Sequence, residues 1–167
     1  MVLLLSVNLQ LNTQVTKHFN IPVGTPIISN TTTRHTYPMN MKRNNPFNIR
    51  TNSANKWVGK IPDNKEPFEK FETLEYGIRA GMKLLQNYST KYGINTVKDI
   101  IHKFAPTIEN DTDNYIKVVC SITGFKPCDK LDLTDKVTII KLAEAMIYVE
   151  QGVWINPVAS AYNKYIK

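Results

Sequence analysis

The residue best suited to chemistry is Glu150, near the end of the stretch TDKVTIIKLAEAMIYVEQG (134–152). Ile139, Leu142, Ala143, Met146 and Ile147 follow the spacing of one helix face. Three residues further, the series reaches Glu150. A carboxyl there would close a buried stripe in the last turn of a helix that Gly152 is suited to stop. Burial disfavours the charged carboxylate, and a helix C-terminus is the negative end of the macrodipole, so both raise its pKa. A glutamic acid that keeps its proton near neutral pH can act as a general acid. Taken from the helix alone, the commoner outcome for such a residue is a solvent-facing side chain at a fraying end.

The rest of the inventory narrows the chemistry. No GxGxxG, P-loop, HExxH or GxSxG pattern occurs. His18, His35 and His102 are isolated, and His102, between Ile101 and Lys103 on an expected helix, reads as a surface residue. Cys120 and Cys128 have neither CxxC spacing nor histidine-rich surroundings, so we expect free thiols and no metal. Hydride, phosphoryl and metal chemistry are unsupported, and no cofactor is expected. Carboxylates, amides and aromatics remain, which is the inventory of a carbohydrate site. Ring faces stack on sugars, asparagine amides bond hydroxyl and N-acetyl groups, and a carboxylic acid protonates the glycosidic oxygen.

Those groups need elements to position them. Arg43–Arg50, RNNPFNIR, is a turn-forming cluster with Phe47 and Ile49 as inward anchors. Residues 51–70 read as loop or short strand. A helix capped near Thr73 follows, with Leu74, Ile78, Gly81, Leu85 and Tyr88 on its face and Gly93 beyond its end. Gly77, Ala80 and Gly81 on it suggest a closely packed neighbouring helix, since the glycines cost helix stability. Thr96 with Asp99 forms a capping-box pattern ahead of Val97, Ile100, Ile101 and Phe104, and Pro106 closes that helix. Asp111 or Thr112 opens a third helix, with Tyr115, Val118, Val119 and Ile122 inward and Gly124 as its stop. A last short helix is expected over Val158–Ile166, after Pro157. The fold expected is mainly α, within the α+β class.

At 167 residues the chain has the size of one domain with a real core. Its net charge of +7 is unevenly spread: residues 1–62 carry seven Lys or Arg and no Asp or Glu, while residues 63–167 carry fourteen of each sign. Residues 1–40 are expected to be an extended, apolar N-terminal arm that pairs with a neighbour or wraps the domain, ahead of a domain over 41–167, and the basic excess of the N-terminal third suggests an arm or face that meets an anionic partner. The start, MVLLLSVNLQLNTQV, lacks the basic n-region and cleavage site of a signal peptide, and no run reaches the length of a membrane span. No helix carries a Lys/Arg stripe with interleaved aromatics, which ranks nucleic acid last among anionic partners.

RNNPFNIR, Trp57-Val58-Gly59, Phe68-Glu69-Lys70-Phe71 and Gly77-Ile78-Arg79-Ala80 occur in one order, followed by Ala105-Pro106, Glu109-Asn110, Thr112, Tyr115 and Glu150-Gln151-Gly152. In this the chain resembles a phage-encoded, lysozyme-like family with an NNPGNIR signature, whose members are often labelled virion structural proteins. The resemblance runs from about Lys42 to Gly152 and extends to glucosaminidases and lytic transglycosylases, in which the catalytic glutamate precedes the Asn-rich loop. Here no acidic residue precedes that loop. The resemblance therefore implies a circularly permuted lysozyme-like domain with its catalytic helix last. Phe47 replaces the family's Gly, Phe104 a Trp, and Gln151 an Asn or Ser.

What the resemblance implies for function is a virion-associated, peptidoglycan-degrading enzyme, carried to the bacterial wall by the particle and held in it through the arm. Glu150 would be the general acid and then base, with Glu109 second in line. A helix N-terminus would lower the pKa of Glu109 and make it the poorer acid. Asn44, Asn45 and Asn48 would orient substrate or water, and Tyr115 and Trp57 would line the groove. Glu72, Glu75 and Glu109 are the candidate second carboxylates for hydrolysis; a lone Glu150 implies lytic transglycosylation. The alternative is a structural virion protein of the same fold without activity.

Overall fold

The structure, a computed structural model, describes residues 39–63, 65–107 and 111–166, all within the unit Tyr37–Lys167. The expected arm thus lies outside the described residues apart from Met39 and Asn40, as does Glu109. A 3-10 turn, Met39–Arg43, leads into the Asn-rich loop. Two short strands follow, β1 (Lys60–Ile61) and β2 (Lys70–Phe71), paired antiparallel with Lys60 opposite Phe71 and Ile61 opposite Lys70. Five helices complete the described chain: α1 (Leu74–Tyr92), α2 (Val97–Phe104), α3 (Thr112–Thr123), α4 (Lys136–Gln151) and α5 (Val158–Tyr165). The molecule is mainly helical with a small sheet, as the sequence implies.

Helix limits follow the side-chain chemistry at their ends. Thr73, Thr96, Asp111 and Asp135 each accept a hydrogen bond from a backbone N–H of the first turn. Asp135 sets the start of α4 because Thr134 is held by Asp132, with both its N–H (2.8 Å) and its hydroxyl (2.6 Å) donating to the carboxylate. Gly93, Gly124 and Gly152 take the left-handed conformation that ends α1, α3 and α4.

Helix α4 is central and packs against α1, α3 and α5. Its stripe of Ile139, Leu142, Ala143, Met146 and Ile147 is buried as expected, and Ala145 and Gln151 are buried with it. Contacts on two sides, rather than one stripe, explain that extra burial. The inward face of α3 differs from expectation for a similar reason. Ile116 is buried and Val118 and Ile122 are only half-buried, because α3 lies between α2 and α4. No described helix is long and apolar enough to cross a membrane.

Candidate functional site

The loop 44–49 is built first. Asn44 and Asn48 sit at φ 55° and 52°, the left-handed region that asparagine tolerates better than most side chains. Asn45 is fully buried. Its Nδ2 donates to Ile49 O and Glu69 O, both at 3.0 Å, and its Oδ1 accepts from Ile49 N–H at 2.9 Å. Asn44 Nδ2 donates to Phe71 O (3.0 Å) and Glu72 O (3.1 Å), which ties the loop to the start of α1. Both amides are therefore committed to backbone. Asn45→Ala would strand the Glu69 carbonyl and the Ile49 N–H in the interior, while Ile49 O keeps the bond from Glu69 N–H at 2.8 Å. A loss of about 2 kcal/mol or more is expected, at ~1–3 kcal/mol per stranded group, read by denaturant unfolding.

The glycines of α1 receive this loop. A Cβ on Gly77 would lie 1.8 Å from Asn44 O, and one on Gly81 would lie 2.1 Å from the Phe47 ring. The close neighbour that the small residues foreshadow is thus a loop and not a helix. A loop inserts its carbonyl and ring deeper than a helix backbone could approach. Phe47 is fully buried and meets Phe104 edge-on, with centroids 6.3 Å apart, and Phe104 meets Tyr115 the same way at 6.4 Å. The aromatic that replaces glycine in the loop is a core anchor.

On this base the loop meets the end of α4. Asn48 Nδ2 donates to Glu150 Oε2 at 2.6 Å, across 102 positions of sequence. Gln151 Nε2 donates to Pro46 O at 2.8 Å and to Asn48 Oδ1 at 3.1 Å. Tyr115, from α3, brings its hydroxyl within reach of the Glu150 carboxyl and lies 3.4 Å from Met146 O. Its single proton is better spent on Glu150, since the Met146 contact is at the long limit and a carboxylate is the stronger acceptor.

Glu150 is half-buried: protein surrounds it, yet part of its surface stays open. Burial raises its pKa from the usual carboxyl value to about 7, against the opposing pull of the Tyr115 and Asn48 hydrogen bonds. Burial also pushes Tyr115 well above its ordinary range, reinforced by the neighbouring Glu150 charge. Tyr115 therefore stays a neutral donor. Among the described residues no second carboxylate contributes to the shift at Glu150. Glu72 is exposed, and Glu75 lies near Lys164, whose pKa is raised chiefly by Tyr165 and to a lesser degree by Glu75.

The structure brings together Asn48, Tyr115 and Glu150. Asn44 and Asn45 underpin the loop. Trp57 is half-buried against the core on the turn before β1, its indole N–H without a partner among the described residues, and it makes no hydrogen bond or ring contact with Glu150, Asn48 or Tyr115. Gln151 is the site residue that periodicity passed over. The stripe continued by four from Ile147, rather than by three, would have reached it. No group of three or more His, Cys, Asp or Glu able to hold a metal ion occurs among the described residues.

Comparison with known proteins places the chain in a bacteriophage protein family. It is 39% identical over 115 residues to Protein P5 of Pseudoalteromonas phage PM2, a stretch covering 67% of this chain and 70% of that protein, and it belongs to the family of Protein P5. No protein-family model matches the chain.

Proposed function

We propose that this is a virion protein that cleaves the glycan strands of peptidoglycan, with Glu150 as general acid and then base, in a circularly permuted lysozyme-like domain. The observation that carries the reading is the half-buried Glu150 carboxyl, pKa about 7, held by Asn48 from the other end of the domain. At neutral pH such a group is divided between its acid and base forms, as a residue that first donates and then accepts a proton requires. Asn48 and Tyr115 are donors aimed at its charged form, and their hydrogen bonds strengthen as the proton leaves.

The phage relative supports the virion setting, and residues 1–40 would serve as the arm that holds the protein among other virion components. Transport by the particle would bring the enzyme to the periplasmic wall of the host. With no second carboxylate acting on Glu150 among the described residues, attack on C1 by the substrate's own C6 hydroxyl is favoured, directly or by opening an intermediate formed by the N-acetyl group. Mass analysis of released fragments would then find anhydro ends, and reducing ends would point to hydrolysis. Clearing of purified cell wall in a zymogram, lost in Glu150→Gln, tests the reading. No clearing by the wild type would sink it.

The pH dependence follows from the same geometry. The acid form is lost as pH rises through about 7. The Tyr115 hydrogen bond lowers the Glu150 pKa. Tyr115→Phe is therefore expected to move the alkaline fall of activity to higher pH, as a pH–rate profile on cell wall would read.

The second reading is a scaffold of the same fold without activity, docked on neighbouring capsid or vertex proteins. It draws on Asn44 and Asn45, whose amides are spent on backbone and leave Asn48 as the one amide of the three that meets Glu150.

A further inference from the structure

We propose that Gln151 is a positioning residue for this site, whose donation to Pro46 O and Asn48 Oδ1 fixes the Asn48 amide with its NH2 toward Glu150. The inference rests on the glycan-cleaving reading for its purpose and on geometry for its content. A carboxamide has two nearly isosteric faces, one donating and one accepting, and its surroundings decide which faces where. Only the NH2 face can stabilise a carboxylate. The oxygen face would accept a proton from the neutral acid and hold it there.

Three features make Gln151 the deciding group. It is only 7% exposed, so water cannot readily substitute for it. Its Nε2 has two hydrogens and two acceptors, Pro46 O at 2.8 Å and Asn48 Oδ1 at 3.1 Å, which leaves its own orientation no freedom. Asn48 in turn has its backbone fixed in the left-handed region by the N–H donated to Asn45 O at 3.1 Å, so its side chain can turn but not leave. The chain of donors runs Gln151 to Asn48 to Glu150 (2.6 Å) in one direction. Gln151 Oε1, buried, takes no hydrogen bond among the described residues. A shorter Asn or Ser at this position could not span both acceptors, which gives the longer side chain a physical reason.

The test is a titration of the Glu150 carboxyl by NMR in the full chain, for wild type, Gln151→Met, Asn48→Ala and the double variant. Tyr115 is the other ionisable group facing Glu150, and it is retained throughout. Methionine keeps the volume and removes the donors. Gln151→Met is expected to raise the Glu150 midpoint by about one pH unit, the size of one hydrogen bond to a charged group. In the Asn48→Ala background it should add nothing, because the effect acts through Asn48. An unchanged midpoint in Gln151→Met, or an equal shift in both backgrounds, overturns the proposal. A wild-type measurement covers failure of a variant to fold: the Asn48 side-chain NH2 signals must move with the Glu150 midpoint, and their indifference also overturns it. These readouts need no activity. A wild type that leaves cell wall intact while the coupling holds would refute the glycan-cleaving reading alone.

Discussion

Glu150→Gln is expected to reduce clearing of purified cell wall by at least 10²–10⁴-fold, the usual contribution of a positioned general acid. The glutamine keeps the volume and can still accept from Asn48 and Tyr115, so the fold should be intact. Stability should in fact rise, in a pH-dependent way. The native carboxyl has its pKa raised from the ordinary value to about 7, so the folded state binds the proton more tightly than the unfolded chain. Its presence therefore costs nothing below the unfolded pKa. The cost grows as pH rises toward about 7 and is complete above it, on the order of 3 kcal/mol. The variant should gain roughly that amount over wild type at pH 8.5 and nothing at pH 4. Chemical denaturation at the two pH values reads the difference. Equal stabilities at both would mean that the Glu150 carboxyl is not held in a dry environment.

The second large effect is at Gly77, far in sequence from Glu150. In an exposed helix, Gly→Ala stabilises by about 1 kcal/mol. Here the new Cβ would sit 1.8 Å from the backbone carbonyl of Asn44, which no rotamer change can relieve. Either α1 or the loop must shift. The loop carries Asn48, so the bond to Glu150 shifts with it. Gly77→Ala should destabilise by about 1–3 kcal/mol net, in the range of overpacked cores, and should lose wall clearing together with the Asn48–Glu150 coupling. Gly81→Ala should destabilise as well. Its Cβ would lie 2.1 Å from the ring of Phe47, which is fully buried against Phe104. Unchanged unfolding midpoints in Gly77→Ala would show that the loop is not seated on α1.

Much of the architecture was legible because its signals are local. Thr73, Thr96 and Asp111 cap helices through their own side chains, and Gly93, Gly124 and Gly152 end them through their own backbone freedom. The buried stripe of α4 could be read off because a helix repeats its face every three to four residues. Val118 and Ile122 show where such reading stops. A helix with neighbours on two sides buries what the neighbours cover, not what a single stripe selects. Phe47 was legible as an inward anchor, but its seat against Gly81 was not.

The sequence by itself determined that a helix would end at Glu150, Gln151 and Gly152, with a carboxyl in its last turn, and that an Asn-rich turn would lie far upstream. Only the tertiary structure decided which asparagine meets that carboxyl and which of two adjacent polar side chains is enclosed. Asn44 and Asn45 went to backbone carbonyls, Asn48 to Glu150, and Gln151 to the loop. The physical reason is that one helical step turns a side chain by about 100°. Neighbours in sequence thus face different surroundings, and those surroundings are supplied by a segment whose distance along the chain leaves no local trace.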